Sequence, residues 1–348
     1  MTDSIIQNLT TLQPNYVPPE FVDREDEVET LTRLFDGVGD AGVSNLVVEG
    51  PRGTGKSHLV LDQMHSLPDS VNRCYVPCHR ANTQYKALKR IYRSLFQKEI
   101  ADGHHTATLQ REIEDRTVRD TVIVLDELDF LLQNDGDDLL YHLSRSSTQH
   151  LTLVLIAANR ADLESKLEER TYSSLHPERL YVEPYSNQEI FDILADRAQN
   201  ALTSQSLHRQ ALARIAPNVD NLNIGLTWLR TAAEVSDDPI TTPVVENVAE
   251  KAYQRYVDDI LTDFSEHHKL AYQAIRELDT EQDTDTIKTG AIYTRYKELC
   301  EVYGEDSLSN RRISDFLKHL ELLDLIEAEY HYGGRKGKTR EISLKLLE

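Results

Sequence analysis

The sequence predicts an α/β phosphate-binding core with a parallel sheet, then an all-α unit, then a C-terminal winged-helix unit. Over residues 1–186, short β-branched runs alternate with longer amphipathic segments, which is typical of a parallel sheet covered by helices. A phosphate-loop motif directly follows the first of these runs. Near the C-terminus, three amphipathic helical patterns precede two alternating runs that a glycine-containing stretch separates, as in a winged helix.

Five segments of the core are predicted strands. The middle three are nearly continuous apolar runs, as expected in a parallel sheet that helices cover on both faces. The predicted strands are residues 45–49, 73–77, 121–125, 151–157 and 179–182.

The later units follow from helical signals. Ser186 and Glu189 predict a capping box that opens an all-α stretch. Beyond it lie three helical patterns, the last with apolar residues at i, i+3, i+4 and i+7. Two alternating runs follow, and residues 333–338 between them predict a hairpin tip. The predicted units are residues 1–186, 187–260 and 261–348.

The cysteine content and the length of the apolar runs indicate the cellular compartment. The chain has 348 residues and three cysteines, an odd number that argues against a disulfide framework and for a reducing compartment. The longest apolar runs fall far short of the ~20 residues that cross a bilayer. We therefore expect a cytoplasmic protein without a membrane anchor.

The formal net charge of -21 ordinarily argues against nucleic acid as a partner, because phosphate binding requires a basic surface. The acidity fits a halophilic origin, which we state as a hypothesis. At molar salt the Debye length falls to ~3 Å, so distant carboxylates cease to repel DNA while close Arg and Lys contacts remain. Local basic clusters then decide whether the chain binds DNA.

The phosphate-loop motif G-x-x-x-x-G-K-[ST] stands between a predicted strand and a helical segment, the context that it requires. In it, backbone N–H groups surround phosphate, Lys56 reaches the β- and γ-phosphates, and the Ser57 hydroxyl ligates Mg²⁺. An ordinary glycine-rich turn is the alternative, which the strand and helix on either side disfavour. The motif consists of Gly50, Pro51, Arg52, Gly53, Thr54, Gly55, Lys56 and Ser57.

Acidic and amide side chains end two of the predicted strands. Asp126 would hold Mg²⁺ and Glu127 would act as general base on the attacking water. Asn159, after the next strand, would orient that water or touch the γ-phosphate. Taken alone, such residues are usually solvated strand ends or turns. Together with the phosphate loop they predict a nucleotide-hydrolysing site.

The last predicted helix carries a polar face opposite its apolar one. Ser309 is the predicted N-cap, and Asn310, Arg311, Ser314 and Lys318 follow on the polar face. Arginine bonds guanine and asparagine bonds adenine in the major groove, so this face suits duplex DNA. A solvated amphipathic helix is the alternative.

The hairpin tip favours the DNA interpretation. Arg335, Lys336, Lys338 and Arg340 place four cations within six residues of an otherwise acidic chain. The glycines among them allow close approach to phosphate or to the minor groove. By contrast, Cys74, Cys78 and a neighbouring histidine lack a second ligand pair, which predicts buried cysteines rather than a metal site.

Over nearly its whole length the sequence resembles the archaeal origin-recognition initiators, relatives of eukaryotic origin-recognition and cell-division-control proteins in the AAA+ superfamily. Residues 125–129 resemble the family's Walker B motif. Residues 308–314 resemble its recognition helix, and residues 334–340 resemble its wing. The resemblance implies an AAA+ core with a helical lid, bound ATP or ADP with Mg²⁺, and sensor 1 at Asn159.

The resemblance also assigns single residues. Val17, Pro18 and Arg24 lie in a segment similar to the family's adenine pocket. Arg170 lies where an arginine would meet a neighbour's nucleotide, although a surface helix-end arginine explains it equally well. Residues 86–93 form a basic stretch where the family has a DNA-contacting helical insertion, with a solvated helix face as the equal alternative.

One departure from the family affects the lid. Asn223 stands at the position of the sensor 2 arginine, and a neutral amide supplies no fixed charge to the phosphates, which predicts slow hydrolysis. Arg230 is a candidate substitute, with a helix-surface arginine as the favoured alternative.

The leading hypothesis is an ATP-dependent replication initiator that recognises origin duplex DNA and helps recruit the replicative helicase, alone or with copies of itself or paralogous initiators. A nucleotide-switched transcriptional or plasmid-maintenance regulator is the second hypothesis. An ATPase whose winged helix binds protein is the third.

Overall fold

The computed structural model describes residues 4–38, 45–98, 100, 105–145, 150–158, 163–281, 286–331 and 339–345. Its first part contains a five-stranded parallel sheet in the order β2-β3-β4-β1-β5. All five predicted strands are confirmed, with their ends within one residue. The strands are β1 Leu46–Glu49, β2 Asn72–Pro77, β3 Thr121–Asp126, β4 Leu151–Ala157 and β5 Glu178–Tyr181.

The expected burial on both faces is found in β3 and β4, but β2 differs. β2 lies at the sheet edge, and Asn72, Arg73 and Tyr75 are only half-buried because no strand covers their outer side. Alternation along the strands gives two apolar layers. Val47 faces one layer and Val48 faces the other, so the sheet separates two buried clusters.

Eight helices of this part are described around the sheet. Those that follow β1 and β3 begin at the carboxyl edge of the sheet, where ligands of parallel α/β folds bind. The helices are α1 Glu25–Asp36, α2 Lys56–Ser66, α3 Gln84–Phe96, α4 Thr106–Arg116, α5 Leu128–Asp135, α6 Asp138–Arg145, α7 Leu163–Lys166 and α8 Glu169–Leu175.

The next region is helical, as predicted, and the capping box of Ser186 and Glu189 is present at its start. The N-terminal segment reaches across to this region, because the backbone N–H of Gln7 donates to the Ala201 carbonyl over 2.8 Å. The helices are α9 Asn187–Ala201, α10 Arg209–Ile215, α11 Leu222–Glu234 and α12 Thr242–Leu261.

The last region has the predicted winged-helix arrangement, with a short additional strand that the sequence pattern did not indicate. Its sheet is antiparallel in the order β6-β8-β7, with Ala328 opposite Ile342. Ser309 is the N-cap residue of the last helix, but its side chain makes no capping hydrogen bond. The elements are α13 Glu266–Glu281, β6 Ile287–Lys288, α14 Thr289–Tyr303, α15 Asn310–Leu322, β7 Ile326–His331 and β8 Thr339–Leu344.

The winged-helix region packs onto α5 of the core. The ring of Phe130 lies 5.5 Å from the ring of His319 on α15 and 5.8 Å from that of Phe264. Residues of the core, the helical region and the winged helix therefore share one apolar cluster. Within the described ranges, no helix combines the length and apolar character that crossing a membrane requires.

Candidate functional site

The phosphate loop connects β1 to α2 and follows a path that only glycine permits. Gly53 has φ of +78°, and a Cβ on it would lie 2.0 Å from the Asn221 side-chain oxygen. A Cβ on Gly50 would lie 2.2 Å from the Val182 carbonyl oxygen. The loop is thus pressed between β5 and the start of α11, and its backbone and the N-terminus of α2 face the cleft.

Lys56 is buried at the start of α2. Its ammonium donates to the Pro51 carbonyl and lies 3.4 Å from the Thr54 hydroxyl. Burial, together with the charge of nearby Arg52, lowers the pKa of Lys56 to about 8. A phosphate anion in the loop would offset that penalty and hold the lysine fully charged.

Asp126 ends β3 beside the loop and is buried. Its carboxylate accepts hydrogen bonds from the Tyr75 hydroxyl, the Ser57 hydroxyl and, over 2.8 Å, the Glu127 N–H. Burial and the neighbouring Glu127 carboxylate raise the pKa of Asp126. A carboxylate beside a hydroxyl is a donor set that Mg²⁺ accepts, so these residues fit the ion.

Glu127 occupies the left-handed region, with φ of +54°, which is uncommon for a residue with a side chain. Its carboxylate accepts from Arg52 Nη2 and makes an ionic contact with His79. Burial opposes ionisation, but Arg52 and His79 outweigh it and lower the pKa of Glu127 to about 2. The carboxylate is therefore deprotonated, as a general base must be.

At the far end of the cleft, the predicted adenine segment is placed only in part. Pro18 and Tyr16 line the cleft. Val17 is 37% exposed and does not line it. Arg24 is buried behind the lining, where its guanidinium lies 4.0 Å from the Tyr185 ring and donates to the Glu183 carbonyl over 2.7 Å.

Arg197 lines the same end of the cleft and was not predicted. It is buried on α9, donates to the carbonyls of Thr11 and Tyr16 over 3.2 Å each, and lies 4.6 Å from the Tyr16 ring. Burial lowers its pKa. An arginine at helical spacing from Ile190 and Ile193 on an apolar face was the signal in the sequence.

The N-terminus of α11 closes the cleft from the lid side. Asn221 caps the helix by accepting from the Asn223 N–H over 3.0 Å, and its amide donates to the Tyr256 hydroxyl over 2.9 Å. Asn223 itself lines the cleft. Arg230 pairs with Glu234 over 3.1 Å and does not line it, which favours the helix-surface interpretation.

The remaining predicted residues of the core are placed as follows. Asn159 lies outside the described residues. Gly50, Pro51 and Thr54 shape the loop but do not line the cleft. Arg170 is half exposed on α8, where it pairs with Asp138 and Glu168 and lies over the Tyr141 ring.

The predicted DNA-binding residues of α15 lie at its start and along one side. Asn310 and Arg311 are exposed, whereas Ser314 and Lys318 are half-buried. The Lys318 ammonium lies 3.5 Å from the Asp315 carboxylate. The accessible part of this face is therefore the N-terminal turn of α15.

The wing is described only at its base, because Arg335, Lys336 and Lys338 lie outside the described residues. Arg340 donates to Glu321 on α15 over 2.7 Å, lies 5.2 Å from the Tyr330 ring and has a side chain only 9% exposed. It braces β8 against α15, so in this arrangement it offers DNA little surface.

The basic stretch at residues 86–93 forms part of α3. Lys86, Lys89, Arg90 and Arg93 line a shallow groove with Arg80. Cys74 and Cys78, which the sequence analysis predicted to be buried rather than to bind metal, are buried.

Comparison with known proteins places the chain in a family. Residues 20–156 match the AAA ATPase domain, and residues 259–348 match the CDC6 C-terminal winged helix domain. The ORC1-type DNA replication protein of Thermococcus onnurineus is 30% identical over 371 residues, which cover 98% of this chain and 88% of that protein. The chain belongs to the ORC1-type family of DNA replication proteins.

Solved structures of similar proteins agree with this membership. The Aeropyrum pernix ORC1 protein in complex with DNA has a TM-score of 0.76 and 28% identity, over 99% of this chain and 95% of that one. Cdc6p from Pyrobaculum aerophilum shares the fold, with a TM-score of 0.60 and 20% identity over 99% of this chain and 95% of that one. The predicted AAA+ core and winged helix of this ORC1-type protein are thus confirmed.

Proposed function

We propose that this ORC1-type chain is a replication initiator that binds ATP or ADP with Mg²⁺ and recognises origin duplex DNA. One observation carries the proposal. The phosphate loop, the Asp126–Glu127 strand end and the N-terminus of α11 all face a single cleft. The exposed start of α15 lies in the same compact molecule.

Within the cleft, each group has a distinct role. Ser57 and Asp126 would hold Mg²⁺, which supplies charge neutralisation to the phosphates. Lys56 and the loop N–H groups bind the phosphates. Glu127 accepts a proton from the attacking water, and Asn159 would orient that water.

Hydrolysis should be slow in this chain. Asn223 lines the cleft at the position of the lid arginine, and it carries no charge to stabilise the phosphates. The arginines that line the cleft within the described ranges are Arg52, which is bound to Glu127, and Arg197, which lies beside Tyr16.

Nucleotide would control DNA binding through contacts between the loop and the later units. Gly53 abuts Asn221 of α11, and Arg52 donates to the Leu322 carbonyl of α15 over 2.9 Å. A bound phosphate therefore touches the loop that positions both the lid and the winged helix.

Asn310 and Arg311 would read bases, with Ser314 and Lys318 behind them. Arg335, Lys336 and Lys338 would hold phosphate or the minor groove, and Arg340 would support the wing. The Aeropyrum pernix ORC1 protein was solved in complex with DNA, which supports DNA as a ligand of this chain.

Several further features belong to the proposal. The first two units end near residues 186 and 260. The protein acts in the cytoplasm, and its acidic composition is an adaptation to a cytoplasm of high salt concentration. Arg170 is the candidate for contact with a neighbouring subunit's nucleotide, and residues 86–93 provide a second DNA contact. The replicative helicase, copies of this chain or paralogous initiators are the proposed protein partners.

Footprinting on random genomic fragments, with ATP, with ADP and without nucleotide, tests the function. We expect nucleotide-dependent protection of repeats beside an AT-rich region, and loss of that nucleotide dependence in Lys56→Ala. Protection confined to promoters would instead favour a transcriptional regulator, and no protection would favour an ATPase whose winged helix binds protein.

A further inference from the structure

Two histidine rings lie buried where the winged-helix region is docked on the core. His268 is on α13 and His319 is on α15, and both residues are buried. The ring of Phe130, on α5 of the core, lies 5.5 Å from the His319 ring. Phe264 and Phe316 lie 5.1 Å and 4.0 Å from the His268 ring. A charge on either histidine would therefore lie among apolar rings, where it is costly.

A chain of hydrogen bonds runs from the core through both rings. The Asn134 amide nitrogen of α5 lies 3.2 Å from His319 Nε2, and His319 Nδ1 lies 3.0 Å from His268 Nε2. His268 Nδ1 lies 2.7 Å from the Ser265 hydroxyl oxygen, in the turn before α13. All four ring nitrogens are thus bonded within the protein, and the first bond of the chain crosses the docking contact.

The direction of this chain is fixed at its core end. The Asn134 amide nitrogen also donates to the Phe130 carbonyl oxygen over 2.7 Å, so the amide cannot turn its oxygen toward His319 without bringing two carbonyl oxygens together. His319 Nε2 must therefore accept, and a neutral ring that accepts at Nε2 carries its proton on Nδ1. His319 then donates to His268, and His268 donates to Ser265.

An additional proton has no place in this chain. Each ring uses one nitrogen as donor and the other as acceptor, so a second N–H on either ring would face a group that also donates. One hydrogen bond would then be lost inside the protein, where an unpaired polar group is costly. Accordingly, burial lowers the pKa of His319, and burial together with His319 and His267 lowers the pKa of His268 to about 3. The docked pair is therefore neutral at pH 7.

Charged groups around the pair do not neutralise a proton on it. Asp315 raises the pKa of His319, but Lys318, whose ammonium lies 3.5 Å from the Asp315 carboxylate, lowers it. Within the described ranges, neither ring forms an ion pair with a carboxylate. The titratable groups beside the chain are His267 and Lys269 of α13, Asp315 and Lys318 of α15, Asp135 of α5, and Asp263 of the turn before α13.

We propose that His268 and His319 make the docking of the winged-helix region on α5 sensitive to pH. In the docked state, the Asn134 amide occupies the outer end of the pair. Undocking frees His319 Nε2 for water, so the pair can take up one proton by reversing its hydrogen bonds. Only the undocked state then binds this proton near the ordinary histidine pKa of about 6.5, so docking weakens as the pH falls below that value. The inference does not depend on nucleotide or DNA, because docking is a contact within the chain.

Fluorescence energy transfer across the contact, measured on the full chain without ligands, tests the inference. Val118→Cys in the core and Val302→Cys in the winged-helix region provide the label sites, because both positions are exposed while the three native cysteines are buried. Titration of the transfer efficiency with urea at pH 8 and at pH 5 gives a docking constant at each pH. Far-UV circular dichroism of the same samples reports the loss of helix.

We expect the docking constant of the labelled wild type to fall by about tenfold from pH 8 to pH 5, at urea concentrations that leave the helix content unchanged. The double variant His268→Gln, His319→Gln removes both titrating rings and keeps polar side chains, so its docking constant should change by less than about twofold. His267→Gln is the matched control, because His267 lies 2.8 Å from the Tyr296 hydroxyl and outside the chain, and it should respond as the wild type does.

Equal docking constants of the wild type at the two pH values would overturn the inference. Loss of energy transfer that coincides with loss of helix at both pH values would also overturn it, because the contact would then not open separately from unfolding. A response in the double variant as large as in the wild type would assign the effect to other groups. If the double variant does not fold, His268→Gln alone must respond less than His267→Gln, and an equal response would refute the role of the pair.

Discussion

The nucleotide cleft and the start of α15 use charged side chains in opposite ways. In the cleft, Lys56, Asp126 and Glu127 are held by protein groups, and their pKa values are shifted by burial and by neighbouring charges. On α15, Asn310 and Arg311 are exposed. Interactions in a buried site are strong and little affected by salt, whereas exposed charges are screened. Substitutions should therefore have large effects in the cleft and moderate, salt-dependent effects on α15.

The largest effect tests the general base. Glu127→Gln keeps the side-chain shape but cannot accept the proton of water, so we expect hydrolysis to fall by about 100- to 10,000-fold. ATP binding, measured by titration calorimetry, should be retained. Hydrolysis at the wild-type rate would show that another group is the base.

The next effect tests phosphate binding. Lys56→Ala removes a buried ammonium whose hydrogen bonds to phosphate contribute roughly 1.5–3 kcal/mol each, so ATP should bind about 100-fold more weakly. Lys86→Ala, which changes an exposed lysine of α3, is the control and should bind ATP normally. Equal affinities in the two variants would contradict the distinction between buried and exposed charges.

Two glycine substitutions, compared with each other, test the contact between the phosphate loop and α11 of the lid. Gly53→Ala places a Cβ against Asn221, whereas Gly136→Ala meets open space at a similar φ of +73°. Backbone strain of about 1–3 kcal/mol applies to both sites, but only the first should displace α11 and weaken ATP binding, by about tenfold. Matching ATP affinities would mean that the lid does not depend on the loop.

A smaller effect is expected on the exposed helix. Arg311→Ala should weaken binding of duplex DNA by about 1–3 kcal/mol and relax preference at one base position. Arg276→Ala on α13 serves as the control. Fluorescence anisotropy across a salt series would measure the DNA affinity of both variants. An unchanged affinity in Arg311→Ala would show that the start of α15 does not contact DNA.

The smallest effect concerns the contact between α5 of the core and the winged-helix region. The Asn134 amide donates to His319, whose Nδ1 then donates to His268 Nε2 over 3.0 Å, so both rings are neutral. Burial, with His319 and His267, lowers the pKa of His268 to about 3 from its ordinary 6.5. Between these values the unfolded chain binds a proton that the folded chain does not.

The free energy of unfolding should therefore fall as the pH falls below about 6.5, by at most ~1.4 kcal/mol per pH unit for this one group. Chemical denaturation between pH 7 and pH 5 measures it. His268→Gln should give a flatter profile, and an identical slope in both proteins would mean that the buried pair is not neutral.

The features that depend on local sequence patterns were predicted correctly. Apolar runs located the five strands, Ser186 and Glu189 located the capping box, and the glycine motif located the loop. The partners of Glu127 were not predictable, because His79 and Arg52 meet it only through the parallel pairing of β2 with β3 and the turn after β1. The helical spacing of Arg197 placed it on an apolar face, but its role was missed because the N-terminal segment that it binds comes from far away in the chain.

Nucleotide bound in the cleft should control how the winged helix engages DNA. Affinity of the wild type and of Lys56→Ala for the protected duplex, measured with ATP and Mg²⁺, with ADP and without nucleotide, tests this directly. We predict that the affinity of the wild type changes with the nucleotide while that of Lys56→Ala stays constant. A wild-type affinity that is the same in all three conditions would contradict the account.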